Sequence, residues 1–148
     1  MITRRIIAVP ATAEAVRFEF ERFLDRASAE SWEDLKVRFC FAWKARLDPG
    51  GDLEQIMSPD NLSEKVAAAE SRGEGRIGSD NLYVTPLALG VEHLFCHDAD
   101  IHLEGPEGSE YLESEASRFA SLGWTVYHGR KSSEESKYLK MSRFTPRA

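Results

Sequence analysis

Ile2 to Val9 is a short run rich in β-branched residues, stopped by Pro10, and it predicts a strand. The period then changes. Val16, Phe20, Phe23, Leu24 and Ala27 recur at steps of three and four, while Glu14, Arg17, Glu21, Arg22 and Asp25 fall largely on the other side. This predicts an amphipathic helix over residues 13–29, with Thr12 as its N-cap. From Leu35 to Leu47 the period is two: Leu35, Val37, Phe39, Phe41, Trp43, Ala45 and Leu47 face one way, and Lys36, Arg38, Cys40, Ala42, Lys44 and Arg46 the other. A strand of that length spans roughly 43 Å and is expected to bend or carry a bulge. Asp48-Pro49-Gly50-Gly51 ends it in a turn.

Residues 48–90 read as an insertion between two strong strands. Ser58-Pro59 is a cap and first-turn pair, and Leu62, Val66 and Ala69 form a narrow helical stripe that predicts a peripheral helix. After the loop Arg72-Gly73-Glu74-Gly75-Arg76-Ile77-Gly78, Leu82, Tyr83 and Val84 suggest a short strand. Val91 to Leu103 reads as the second strong strand. Gly105 and Pro106 open a further helix with Glu107, Glu110 and Glu113 near its positive end, Leu112, Ala116, Phe119 and Ala120 on its buried stripe, and Gly123 closing it. Trp124 to His128 predicts a strand, residues 129–136 a polar loop, and Lys137 to Phe144 a last strand.

Without the insertion the order is βαββαβ. The expected fold is therefore an α+β, ferredoxin-like domain spanning residues 1–148: an antiparallel sheet with two main helices on one face, an insertion at 48–90 and an added C-terminal strand.

Composition narrows the classes. The 148 residues are 42% hydrophobic and 30% charged, which excludes a disordered or low-complexity chain. No apolar run approaches the roughly 18 residues needed to span a bilayer, so no membrane partner is expected. Net charge is -6 and unevenly spread: residues 48–115 hold 3 basic and 16 acidic side chains, residues 116–148 hold 7 and 2. Such a balance argues against a surface adapted to nucleic acid. Met1 to Pro10 is too short for a secretory apolar region, so Cys40 and Cys96 are expected as reduced, buried thiols in a cytoplasmic protein.

Three of the four histidines fall in one segment, His93-Leu94-Phe95-Cys96-His97-Asp98-Ala99-Asp100-Ile101-His102. On a single strand His93 and His97 share a face but stand roughly 13 Å apart, too far to hold one ion. Asp98, Asp100 and His102 share the other face at roughly 6.6 Å steps, so adjacent members can converge on a divalent metal, with His128 as a candidate for a further ligand.

Lys36, Arg38, Lys44 and Arg46 line the polar face of the basic strand, a candidate surface for a small anionic ligand or an acidic protein. Pairing with Val91–Leu103 would bring Asp98, Asp100 and Glu104 beside these cations and consume much of their field. The glycine-rich loop lacks the spacing of a phosphate-binding loop, and Glu134-Glu135 is a solvated pair. Trp32, Trp43 and Trp124 read as core or interface anchors.

No motif specifies a reaction. The expected function is a non-enzymatic binding or interaction module, acting through an exposed polar sheet face or the 48–90 insertion and forming a homodimer. The alternative is a metal-dependent hydrolase built on Asp98, Asp100 and His102.

Overall fold

Alternating residues along each strand point their apolar side chains to one side of a single antiparallel sheet. The computed structural model describes residues 2–10, 12–40, 54–132 and 141–146. The elements are β1 (Ile2–Val9), α1 (Glu14–Ala29), β2 (Leu35–Phe39), β3 (Gln55–Met57), α2 (Pro59–Ser71), β4 (Leu82–Pro86), β5 (Glu92–Phe95), β6 (Ile101–Pro106), α3 (Glu110–Ser121), β7 (Thr125–Ser132) and β8 (Ser142–Arg143). The sheet has eight strands in the order β3-β2-β4-β5-β6-β1-β7-β8.

This α+β layout has more strands than the ferredoxin-like sheet with one added C-terminal strand expected from the sequence. Two differences account for it. The expected strand Val91–Leu103 is a hairpin, β5 and β6. The described part of the expected insertion, residues 54–90, is not wholly peripheral, because β4 pairs with both β2 and β5 inside the sheet. As a result β2 does not lie against β5 or β6, and the cross-strand meeting of Lys36 and Arg38 with Asp98, Asp100 and Glu104 does not occur. The second half of the predicted basic strand, with Phe41, Trp43, Lys44 and Arg46, lies outside the described residues, as do the turn at 48–51, Glu134-Glu135 and most of the predicted last strand.

The core follows from the alternation. Ile6 and Ala8 of β1, Leu35, Val37 and Phe39 of β2, Leu82 and Val84 of β4, Phe95 of β5, Ile101 and Leu103 of β6 and Val126 of β7 are buried on one face. The helices supply the complement: Val16, Phe20, Phe23 and Ala27 from α1, Leu62, Val66 and Ala69 from α2, and Leu112, Ala116 and Phe119 from α3. Ser58 caps α2 as read from the sequence, accepting the Asn61 N–H at 3.2 Å, and Pro59 takes the first turn. Thr12 does not cap α1, whose N-cap is Ala13. Helix α3 starts later than expected, capped by Ser109 after β6 has run through Gly105 and Pro106, and Gly123 at φ +84° turns the chain out of it.

The seam between α1 and α3 is ionic. Glu19 and Glu115 stand inside the apolar stripes of the two helices and are both buried. Arg118 reaches each: its guanidinium donates to Glu19 at 2.5 and 3.1 Å and to Glu115 at 2.8 Å. Arg26 donates to the other oxygen of Glu115 at 2.8 Å and lies over the Tyr111 ring. Buried carboxylates this far from water are tolerated because each oxygen has a cationic donor.

Below this seam the ring of His93 packs on Phe23. Its Nδ1–H donates to the Val91 carbonyl at 2.9 Å, and its Nε2 accepts from the Tyr111 hydroxyl at 2.7 Å. Burial, above all, lowers its pKa from 6.5 to about 4, with the charge of Arg26 acting the same way.

Two outcomes test this arrangement. Phe39→Ala should cost about 3 to 5 kcal/mol by leaving a cavity, whereas Lys36→Ala on the other face of the same strand should cost under about 0.5 kcal/mol; equal urea midpoints would contradict the facing of β2. The unfolded chain binds a proton on His93 near pH 6.5 while the folded protein resists until about pH 4. The contribution of His93 is therefore complete above pH 6.5 and declines as the pH falls towards 4, by roughly 3 kcal/mol in all. Urea denaturation at stepped pH should show a shallower acid loss in His93→Gln than in the wild type.

Candidate metal centre

β5 and β6 are joined by a tight turn. The Cys96 N–H donates to the Asp100 carbonyl at 3.0 Å and the Ala99 N–H to the Cys96 carbonyl at 3.1 Å. Ala99 takes φ +59°, a left-handed conformation that usually selects glycine or asparagine. The segment carries no glycine, proline or asparagine to announce a turn, so its alternation reads as one continuous strand.

The turn divides the predicted set of Asp98, Asp100 and His102 between two clusters that share Cys96. Asp98 sits at the tip with its side chain 71% exposed, grouped with Cys96 and His97. Asp100 and His102 are grouped with Cys96. Its Sγ, a carboxylate oxygen of Asp100 and a ring nitrogen of His102 all lie within 4.8 Å of one another. Phe95 and Ile101 point into the core from paired positions, so Cys96, Asp100 and His102, each next to one of them, turn to the opposite side.

The three groups already share protons. His102 Nε2–H donates to Asp100 Oδ1 at 3.0 Å. Burial by itself would push the Asp100 carboxyl up, but hydrogen bonds from His102 and Cys96, with the electrostatics of the nearby His102 and His97 rings, hold it below the usual range. The Cys96 thiol is pushed up to about 11, first by burial and then by its bond to Asp100, against the Asp98 backbone N–H that favours the thiolate. The ionised carboxylate thus accepts hydrogen bonds from both the thiol and the imidazole, donors that a metal ion would draw together in its place.

The other histidines divide between the faces. His93 is buried under the helices. His128 pairs with Ile6 across β1 and β7, whereas His102 pairs with Ile7 across β1 and β6, so His128 points to the helix side and takes no part in this cluster. It sits 3.3 Å from Arg4 Nη2, and its pKa is lowered by burial and by Arg4 and Arg130. His97 stands beside the cluster on the turn, its backbone N–H and its Nδ1 2.7 and 2.8 Å from Asn81 Oδ1.

Lys36 and Arg38 of the predicted anion surface lie on the second face of the sheet. Among the described residues, no helix covers the second face of the sheet, on which Thr3, Arg5, Ile7, Lys36, Arg38, Tyr83, Thr85, Glu92, Leu94, His102 and Glu104 are half-buried. Arg38 lies over the Tyr83 ring at 4.2 Å, Lys36 is 4.0 Å from Glu54, and Arg5 donates to Glu104 at 3.2 Å. Among the described residues, charges of both signs alternate on this face. Lys44 and Arg46 lie outside the described residues.

Cys96 is the donor of this cluster that the sequence reading did not name. The signal was its spacing, four residues before Asp100 and six before His102, which brings donors together only if the chain reverses between them. The cavity at the α1–α3 seam, about 20 Å³ and lined by Glu19, Arg26, His93, Tyr111 and Glu115, has room for one water and no substrate.

No helix of the described residues is long and apolar enough to cross a membrane. No protein-family model, no curated protein and no solved structure matches the chain, so the reading of its function rests on this geometry.

Proposed function

We propose that this protein is a small binding module whose ligand is one divalent transition metal of the zinc class, held at the tip of the β5–β6 hairpin. The observation that carries the reading is the convergence of the Cys96, Asp100 and His102 donor atoms within 4.8 Å of one another. Thiolate and imidazole together favour zinc over magnesium or calcium, which prefer oxygen ligands. A ligand thiol calls for a reducing compartment, in keeping with a cytoplasmic protein.

Metal-dependent hydrolysis is the second reading. Three protein donors leave one tetrahedral position for water, the donor count of hydrolytic zinc sites. It predicts slow turnover of an activated ester in the zinc-loaded protein that His102→Ala removes.

Calorimetric titration of untagged protein with zinc tests the binding itself. One ion should bind per chain and release about one proton at neutral pH, because the Cys96 thiol must ionise. Affinity should fall with acid, since thiolate and neutral imidazole are both required. Saturating zinc should raise the melting temperature by mass action. Cys96→Ala and His102→Ala should each abolish that rise, and Glu104→Gln, on the same face of β6, should keep it. An unchanged melting temperature for wild-type protein, or full binding by Cys96→Ala, would overturn the reading.

A further inference from the structure

The three donors leave a tetrahedral metal one ligand short, and a fourth side chain stands beside them. We infer that His97 Nδ1 closes the site and that Asp98 orients its ring, making the occupied centre a closed clip with no position for water. The inference rests on the metal reading above and decides between its two forms.

Three observations carry it. First, His97 Nδ1 lies 3.7 Å from Cys96 Sγ. Metal–sulfur and metal–nitrogen bonds of about 2.3 and 2.05 Å at a tetrahedral angle set ligand atoms about 3.6 Å apart. The pair already has the spacing of two ligands on one ion. Second, the ring is parked on a partner it can leave. Asn81 Oδ1 accepts from the His97 backbone N–H at 2.7 Å and from Nδ1 at 2.8 Å. Rotation of the ring towards the metal breaks the second bond and keeps the first, so the main chain stays in place. Asn81 is itself nearly buried, and its carbonyl accepts the Cys40 N–H, which fixes this anchor to β2.

Third, the other ring nitrogen already faces a carboxylate. His97 Nε2 is 3.5 Å from Asp98 Oδ1. Metal-ligating histidines commonly donate their second ring N–H to a carboxylate, which fixes the tautomer and raises the basicity of the ligating nitrogen. Metal binding at Nδ1 requires the proton now directed at Asn81 to reside on Nε2, and Asp98 is placed to accept its hydrogen bond.

The clusters Cys96, His97, Asp98 and Cys96, Asp100, His102 share Cys96, and on this account the turn of the His97 ring makes them one centre. Asp98 acts through His97 as a positioning residue and does not touch the ion. A closed centre with four protein ligands staples the hairpin tip and has no water to activate, which favours the binding module over the hydrolase.

Cobalt(II), a coloured probe for zinc sites, tests this in untagged protein. Wild-type protein should give the strong visible absorption of a tetrahedral thiolate site. His97→Ala, at an exposed turn position where the fold is expected to survive, should bind cobalt roughly tenfold more weakly or worse, with visible bands that lose intensity as water enters. Asp98→Asn should keep the tetrahedral spectrum and lose roughly tenfold in affinity. If His97→Ala kept both the affinity and the spectrum of the wild type while His102→Ala lost binding, the fourth-ligand inference would fail and the three-ligand site would stand. If wild-type protein bound no cobalt, both would fail.

Discussion

A one-sided sheet is the constraint from which the rest of this structure follows. Among the described residues, eight antiparallel strands bury one face under three helices, and the two-residue period of each strand assigns its side chains to the helix-covered or the opposite face. A slip of one residue in any pairing would turn Phe39, Phe95 or Leu103 outward and carry Arg38, Glu104 or His102 into the core. The register is thus held by burial, and the polar groups that do enter the covered side are those with partners waiting. Arg4 is buried between Glu113 and His128; Glu19 and Glu115 share Arg118; His93 has a donor bond to Val91 and accepts from Tyr111.

The candidate metal centre is a product of the same alternation at the point where it reverses. Phe95 and Ile101 enter the core from paired positions, so the residues beside them, Cys96, Asp100 and His102, emerge together on the far side. A tight turn then adds His97 and Asp98 within reach. The main-chain bonds between Cys96 and Asp100, and the hold of Asn81 on the His97 N–H, fix the backbone of this tip before any ligand arrives. Such preorganisation is what a metal site needs if binding is not to be weakened by the cost of ordering a loop.

How much of this was legible depended on whether a signal was local. The stripes of α1 and α3 were plain, because Val16, Phe20, Phe23 and Leu112, Ala116, Phe119 repeat at helical spacing whatever they pack against. Glu19 and Glu115 interrupt those stripes at positions one helical step from Val16 and Leu112, and a carboxylate there is legible as a clash but not as a pair, since the partner Arg118 is 99 residues from Glu19. Asp100 and His102 were read as candidate ligands from their shared face. Cys96 was missed because the reversal depends on Ala99 in a left-handed conformation, which no residue type in the segment announces.

The sequence by itself determined the α+β class, the two amphipathic helices, the facing of Leu35, Val37 and Phe39, and the concentration of metal-type donors at residues 93–102. These are properties of periodicity and composition, carried by neighbours along the chain. Only the tertiary structure decided the strand order, the place of β4 within the sheet, the separation of His128 from His102 by the sheet itself, and the meeting of Cys96 with Asp100 and His102. The physical reason is that hydrophobic alternation says which side chains share a face but does not say where an antiparallel pair begins. That point is set by backbone hydrogen bonds and long-range packing, and a turn such as Cys96–Asp100 forms because the strands on both sides of it have partners.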